Sequence, residues 1–139
     1  MAISLIVWKD TTFEYDKGEI QIPGITIGDA YDIILVYAKR KSCVYYSDVI
    51  NELKRRGHKK ISRRTIGSIV GEVSIQISLA TNPSIYPSSI VVRKDTENPG
   101  EGFWGVDTGT SPPSSVPLKE RSVRLKRYQN DLFDWSSEL

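Results

Sequence analysis

An α+β fold is predicted from three observations. Three stretches of helical periodicity follow one another within residues 29–79, joined by short links. A strand–turn–strand pattern comes directly after the third stretch, over residues 88–106. Short strand-like runs precede the first stretch, and one further amphipathic stretch closes the chain. Helix, link, helix, tight turn, helix, hairpin is the order of a winged helix-turn-helix, so the prediction is a winged helix-turn-helix-like core with N-terminal short strands and a C-terminal helix. The divisions are an N-terminal arm or strands over 1–28, the core over 29–107, a linker over 108–117 and the last helix over 118–139.

Residues 4–9, 13–15 and 19–22 read as short strands, with Pro23-Gly24 as a turn. The first helix is read over 29–40. Ala30, Ile33, Ile34, Tyr37 and Ala38 recur at helical spacing, Asp29 and Asp32 sit in its first turn, and Lys39, Arg40 and Lys41 lie at its end. Residues 44–46 form a β-like link. Ser47 is the expected N-cap of a second helix running to about Arg56, with Val49, Ile50 and Leu53 inward and Gly57 at the C′ position. After a tight turn over 58–61, Ser62 is expected to cap a third helix reaching about Leu79. Its inward positions are Ile66, Ile69, Val70, Val73 and Ile77, and Gly67 and Gly71 allow close helix packing. The hairpin has strands over 88–94 and 102–106. In the last helix, Leu118, Leu125 and Leu132 repeat at seven, with Tyr128 and Trp135 beside them.

The chain has 139 residues and ordinary globular proportions, 39% hydrophobic and 26% charged. No apolar run approaches the roughly 20 residues that span a bilayer, and residues 1–8 lack a basic leader. Cys43 is the only cysteine, which excludes an internal disulfide and fits a reducing compartment; a cytoplasmic protein with no membrane association is expected. The net charge of +2 conceals a concentration. Residues 39–64 hold ten Lys and Arg against Asp48 and Glu52, while residues 1–38 carry −4. Such a local excess suggests a surface facing a polyanion or, alternatively, a solvated helical face.

The third predicted helix opens Ser62-Arg63-Arg64-Thr65. Arg63 and Arg64 are suited to phosphates or guanine edges, Ser62 and Thr65 to either, and Ser68 extends the same polar side. Lys54, Arg55, Arg56, Lys59 and Lys60 precede them, placed for backbone phosphates. Arg93 and Lys94 enter the wing, but Asp95, Glu97 and Glu101 decorate its tip and should be repelled by DNA. The expected partner is double-stranded DNA, in an accessory or regulatory role. The competing reading is a protein-interaction module or phage-type inhibitor that docks through the same fold. A homodimer or a protein partner through the C-terminal helix accompanies both.

No catalytic site, metal or cofactor is expected. His58 is the lone histidine, set among cations that disfavour its protonation, and reads as a turn residue. One His and one Cys do not build a metal cage. Asp10, Glu14, Asp16 and Glu19 suggest a divalent-ion nuclease site or a solvated acidic face, the second being preferred. Gly67-x-x-x-Gly71 lacks the lysine of a phosphate loop. Cys43 is read as a small buried residue.

Residues 46–91, a third of the chain, resemble the C-terminal DNA-binding domain of alkylguanine-DNA alkyltransferases and their non-enzymatic alkyltransferase-like relatives. Tyr46-Ser47-Asp48-Val49 is similar to the start of that family's second helix. Arg64-Thr65-Ile66-Gly67-Ser68-Ile69 is similar to its recognition helix, and Asn82-Pro83 to its Asn-Pro. Where the family reads Pro-Cys-His-Arg-Val, this chain has Pro87-Ser88-Ser89-Ile90-Val91. The resemblance implies a winged helix in which Arg64 fills the gap left by a flipped base. Ser88 and Ser89 replace the acceptor cysteine and its histidine, so no alkyl transfer is implied.

Overall fold

Alternation of apolar and polar side chains shapes the start of the chain. In the computed structural model, which describes residues 6–106 and 113–139, β1 (Thr11–Tyr15) and β2 (Gly18–Ile22) form an antiparallel hairpin. Phe13 and Tyr15 of β1 and Ile20 and Ile22 of β2 turn inward. Gly18, at φ 121°, makes the turn. Residues 6–9 form no strand, and residues 4 and 5 of the predicted first strand lie outside the described residues. The segment is held instead by the Gln76 side chain, which accepts from the Lys9 N–H at 2.9 Å and donates to the Lys9 carbonyl at 3.2 Å.

Helix α1 spans Gly24–Lys39, five residues earlier than the sequence pattern predicts. Pro23 sits at its N-cap rather than in a turn, and Asp10 Oδ1 accepts from the Gly24 N–H at 2.7 Å. A carboxylate from across the hairpin thus stabilises the helix start, a contact invisible to local pattern. Trp8 lies over this first turn: a Cβ at Gly24 would come within 2.1 Å of the Trp8 carbonyl, and one at Gly28 within 2.7 Å of its ring. At the far end Lys41 adopts φ 55°, with Ser42 N–H bonded to Tyr37 O and Lys41 N–H to Ala38 O. This is a Schellman closure made with lysine in place of glycine.

β3 (Val44–Tyr45) leads into α2 (Tyr46–Arg55). Tyr45, not Ser47, occupies the N-cap, and Ser47 Oγ is buried without a hydrogen-bond partner among the described residues. Gly57, at φ 87°, closes α2 as predicted, with His58 N–H on Leu53 O and Gly57 N–H on Lys54 O. Helix α3 is Ile66–Ala80, beginning four residues after the predicted cap.

The predicted wing hairpin does not form. β4 (Val91–Val92) pairs in parallel with β3, and the expected return strand is a 3-10 helix, Glu101–Gly105. The intervening loop closes on itself through Glu97 N–H to Arg93 O and Arg93 N–H to Asn98 O. Val91 and Val92 are buried and paired with β3, and the chain after Arg93 turns into that loop without running back along β4.

Helices α1, α2 and α3 pack together around Ile27, Ile34, Val49, Leu53, Ile69 and Ile77, all fully buried. Helix α4 (Arg121–Ser137) packs on α1 and on the 3-10 helix Pro87–Ile90. Leu132 joins the main core, while Leu125 and Tyr128 meet Tyr86 and Phe103 in a second cluster. Leu118 departs from the predicted heptad line: it lies in a 3-10 turn before α4 and is 77% exposed. Within the predicted linker, 108–112 lies outside the described residues, whereas Pro113 and Val116 are buried. Among the described residues no helix is long and apolar enough to cross a membrane.

Candidate nucleic-acid interface

The basic residues gather on the connection between α2 and α3, whose shape is set by a buried threonine. Thr65 Oγ1 donates to the Lys60 carbonyl at 2.7 Å and accepts from the Ser62 N–H at 3.1 Å. Lys60, two residues before Ser62, adopts φ 64°. Residues 62–65 make a turn ahead of α3, with Thr65 N–H and Ile66 N–H both on Ser62 O and Arg64 N–H on Ser62 Oγ at 3.2 Å. Arg63 and Arg64 are exposed on this turn rather than in the first turn of α3. Thr65, 2% exposed and committed to its own backbone, leaves the set of contact residues. Ser62 is half-buried and organises the turn.

His58 ties this connection to α1. One ring nitrogen, Nδ1, lies 2.9 Å from Thr26 Oγ1, and the other, Nε2, 2.6 Å from Asp29 Oδ2. It is a structural brace, in keeping with its reading as a turn residue.

The predicted cations divide into two groups. Arg55 pairs with Glu52, and Arg56 with Glu52 at 3.4 Å and Asp29 at 3.7 Å. The Arg55 guanidinium holds the Glu52 carboxyl below its usual range. Arg93 is gripped by Asp95 through two bonds of 3.0 and 2.8 Å, which hold the Asp95 carboxyl low. By contrast Lys54, Lys59, Lys60, Arg63, Arg64 and Lys94 are exposed and have no carboxylate partner among the described residues. Lys60 Nζ reaches only the Gln21 carbonyl, at 3.5 Å. Lys94 Nζ lies 5.5 Å from the Tyr45 ring centre.

Sequence pattern missed the role of the N-terminal hairpin here. The Arg64 guanidinium sits 4.8 Å from the Tyr15 ring centre, and the Tyr15 hydroxyl donates to Ser68 Oγ at 2.9 Å. Ser68 is thereby occupied, and Arg64 is held against a ring that keeps its charge exposed. Nothing local to either residue signals a partner some fifty positions away.

A cavity of about 700 Å³ adjoins this surface, between α2, α3 and the loop after β4. Gly67 and Gly71 lie one turn apart on its α3 side, and a Cβ at either would meet nothing within 4 Å. They do not serve close helix packing, contrary to the sequence expectation, although each costs a helix about 1 kcal/mol relative to alanine. Tyr46 and Phe103 contribute aromatic surface, and the Tyr46 hydroxyl accepts from Gly100 N–H at 3.0 Å, holding the loop to α2. Burial pushes the Tyr46 hydroxyl above its ordinary range, against smaller opposing effects of Gly100 and Arg93. Ser88 lies at the inner wall, its Oγ 2.6 Å from Ser74 Oγ.

Cys43 is exposed, not buried. Partial desolvation and then Glu97 raise its thiol, so the neighbouring Arg40 and Lys41 do not activate it. Asp10, of the acidic N-terminal group, is used by α1, and Glu14 faces Glu19 across the hairpin. Comparison with known protein families, with characterised proteins and with solved structures found no match.

Proposed function

We propose that this chain binds double-stranded DNA without chemistry of its own, as an accessory or regulatory protein. It would use α2, the basic turn and α3 as a helix-turn-helix, with a closed loop in place of a wing. The observation that carries the reading is the set of five exposed cations, Lys54 in the last turn of α2 and Lys59, Lys60, Arg63 and Arg64 on the connection to α3, free of carboxylate partners among the described residues. Leaving five positive charges together costs a fold some self-repulsion, which a polyanion relieves. Arg55, Arg56 and Arg93 are already neutralised and contribute less. Tyr15 supports the reading further, because it presents Arg64 with a fixed orientation.

Binding to labelled duplex across a salt series tests this. Five phosphate contacts predict a slope of log affinity against log salt of about −4.5, since each contact contributes roughly −0.9. Replacing Arg63 and Arg64 together by alanine should make that slope shallower by about 2 if both meet phosphates. Should they instead read bases, affinity for a preferred site falls by about 2–6 kcal/mol. Absence of binding at low salt by the folded protein refutes the proposal and favours docking on a protein, a reading that the acidic loop of Asp95, Glu97 and Glu101 supports.

A further inference from the structure

We propose that the cavity between α2, α3 and the loop after β4 is a binding site for a free small aromatic phosphate of the nucleoside monophosphate class. The cavity, about 700 Å³, falls in the range of small-molecule sites, which combine apolar walls with a few placed polar groups. Its α3 side is made by Ile66, Val70 and the two glycines. Because a side chain at Gly67 or Gly71 would enter open space, nothing within the described chain requires glycine there. The smooth wall they leave admits the flat face of a ring, and Tyr46, half-buried on the α2 side, supplies aromatic surface for it to pack against.

The rim selects the charge. Arg63, Arg93 and Lys94 all border the cavity, but Asp95 neutralises Arg93. Arg63 and Lys94 remain, giving two uncompensated positive charges. A phosphate monoester carries about −1.5 to −2 near neutral pH, which matches two cations, where a carboxylate would leave one unanswered. Ser47 also lines the cavity, although its Oγ is itself buried away from solvent. The site shares Arg63 with the proposed DNA surface, but it needs only a free ligand and is tested without DNA.

Titration calorimetry of the full chain with adenosine 5′-monophosphate, without DNA, tests the proposal. Binding tighter than about 1 mM is expected, a modest affinity for a site of this size. Adenosine and inorganic phosphate, titrated separately, should each bind at least about 10-fold more weakly, because each satisfies half of the site. Gly71→Leu should fill the cavity and weaken the monophosphate at least about 10-fold without lowering the melting temperature, since leucine is the better helix former. Gly67→Leu is the second variant should the first not fold. Arg63→Gln should bring the monophosphate down to the level of adenosine. The proposal is overturned if the monophosphate does not bind at millimolar concentration, if inorganic phosphate binds as tightly, or if a folded cavity-filled variant binds unchanged.

Discussion

Leu118 and Leu132 occupy equivalent places in the heptad line read from the sequence, yet the fold treats them oppositely. Leu132 is 1% exposed within the core that α1 and α3 share, and Leu118 is 77% exposed. Truncating Leu132 to alanine removes three carbons from a fully packed site, a transfer loss of about 2.4 kcal/mol at ~0.8 per methylene. The cavity left behind adds to this, so a total of about 2.5–5 kcal/mol is expected. A chain of this length has on the order of 7–20 kcal/mol of stability in all, at roughly 0.05–0.15 kcal/mol per residue. Leu132→Ala should therefore lower the urea midpoint severely with an unchanged slope, while Leu118→Ala should stay within about 0.5 kcal/mol of the parent. Tryptophan fluorescence provides the signal and light scattering the mass. Equal effects at the two positions, or a halved mass in Leu132→Ala, would refute the reasoning and make α4 a docking helix instead of a core helix.

Two further perturbations probe the brace and the charge on α1. His58→Ala removes the bridge from Thr26 and Asp29 to the turn after α2 and strands the buried Thr26 hydroxyl, so a loss of about 1–3 kcal/mol by urea denaturation is expected; a change below about 0.5 kcal/mol would contradict the bracing role. The Asp32 carboxyl is raised by partial burial first and by Asp29 second, with Arg56 opposing. A carboxyl whose folded value is raised contributes stability that is full below its unfolded value, about 3.9, and lost as the pH rises through the folded one. At pH 7 the charged form is a burden, so Asp32→Asn should be the more stable protein there, and its advantage should shrink as the pH falls towards 4. Denaturation midpoints that show the advantage growing on acidification would invert this assignment.

Much of the secondary structure was legible because it is local. The apolar periodicity of Ala30, Ile33, Ile34 and Ala38, the Gly57 closure of α2 and the alternation in β1 and β2 each depend on residues within a few positions of one another. The two arginines and three lysines at the end of α2 and on the connection to α3, which have no carboxylate partner among the described residues, were also visible as a run of like charge. Their division into paired and unpaired members was legible in part, because Glu52 sits three and four positions before Arg55 and Arg56; the reach of Asp29 from α1 to Arg56 was not.

Local pattern failed wherever a group's partner is distant in sequence. Ser47 and Ser62 are good caps by type, but the helix starts are set by Asp10 reaching Gly24, by Thr65 tying down Lys60, and by β3 running directly into α2. Alternation at 88–106 suggests a hairpin; instead Val91 and Val92 pair in parallel with β3, and residues 101–105 form a 3-10 helix. The sequence alone determined the α+β class, the helical core stripe and the basic connection, because propensity, hydrophobic period and charge are written residue by residue. Only the tertiary structure decided that Asp29 reaches Arg56, that Tyr15 lies beneath Arg64, and that Gly67 and Gly71 border open space. Those properties belong to side chains brought together by packing, at separations in the chain over which no local periodicity carries information.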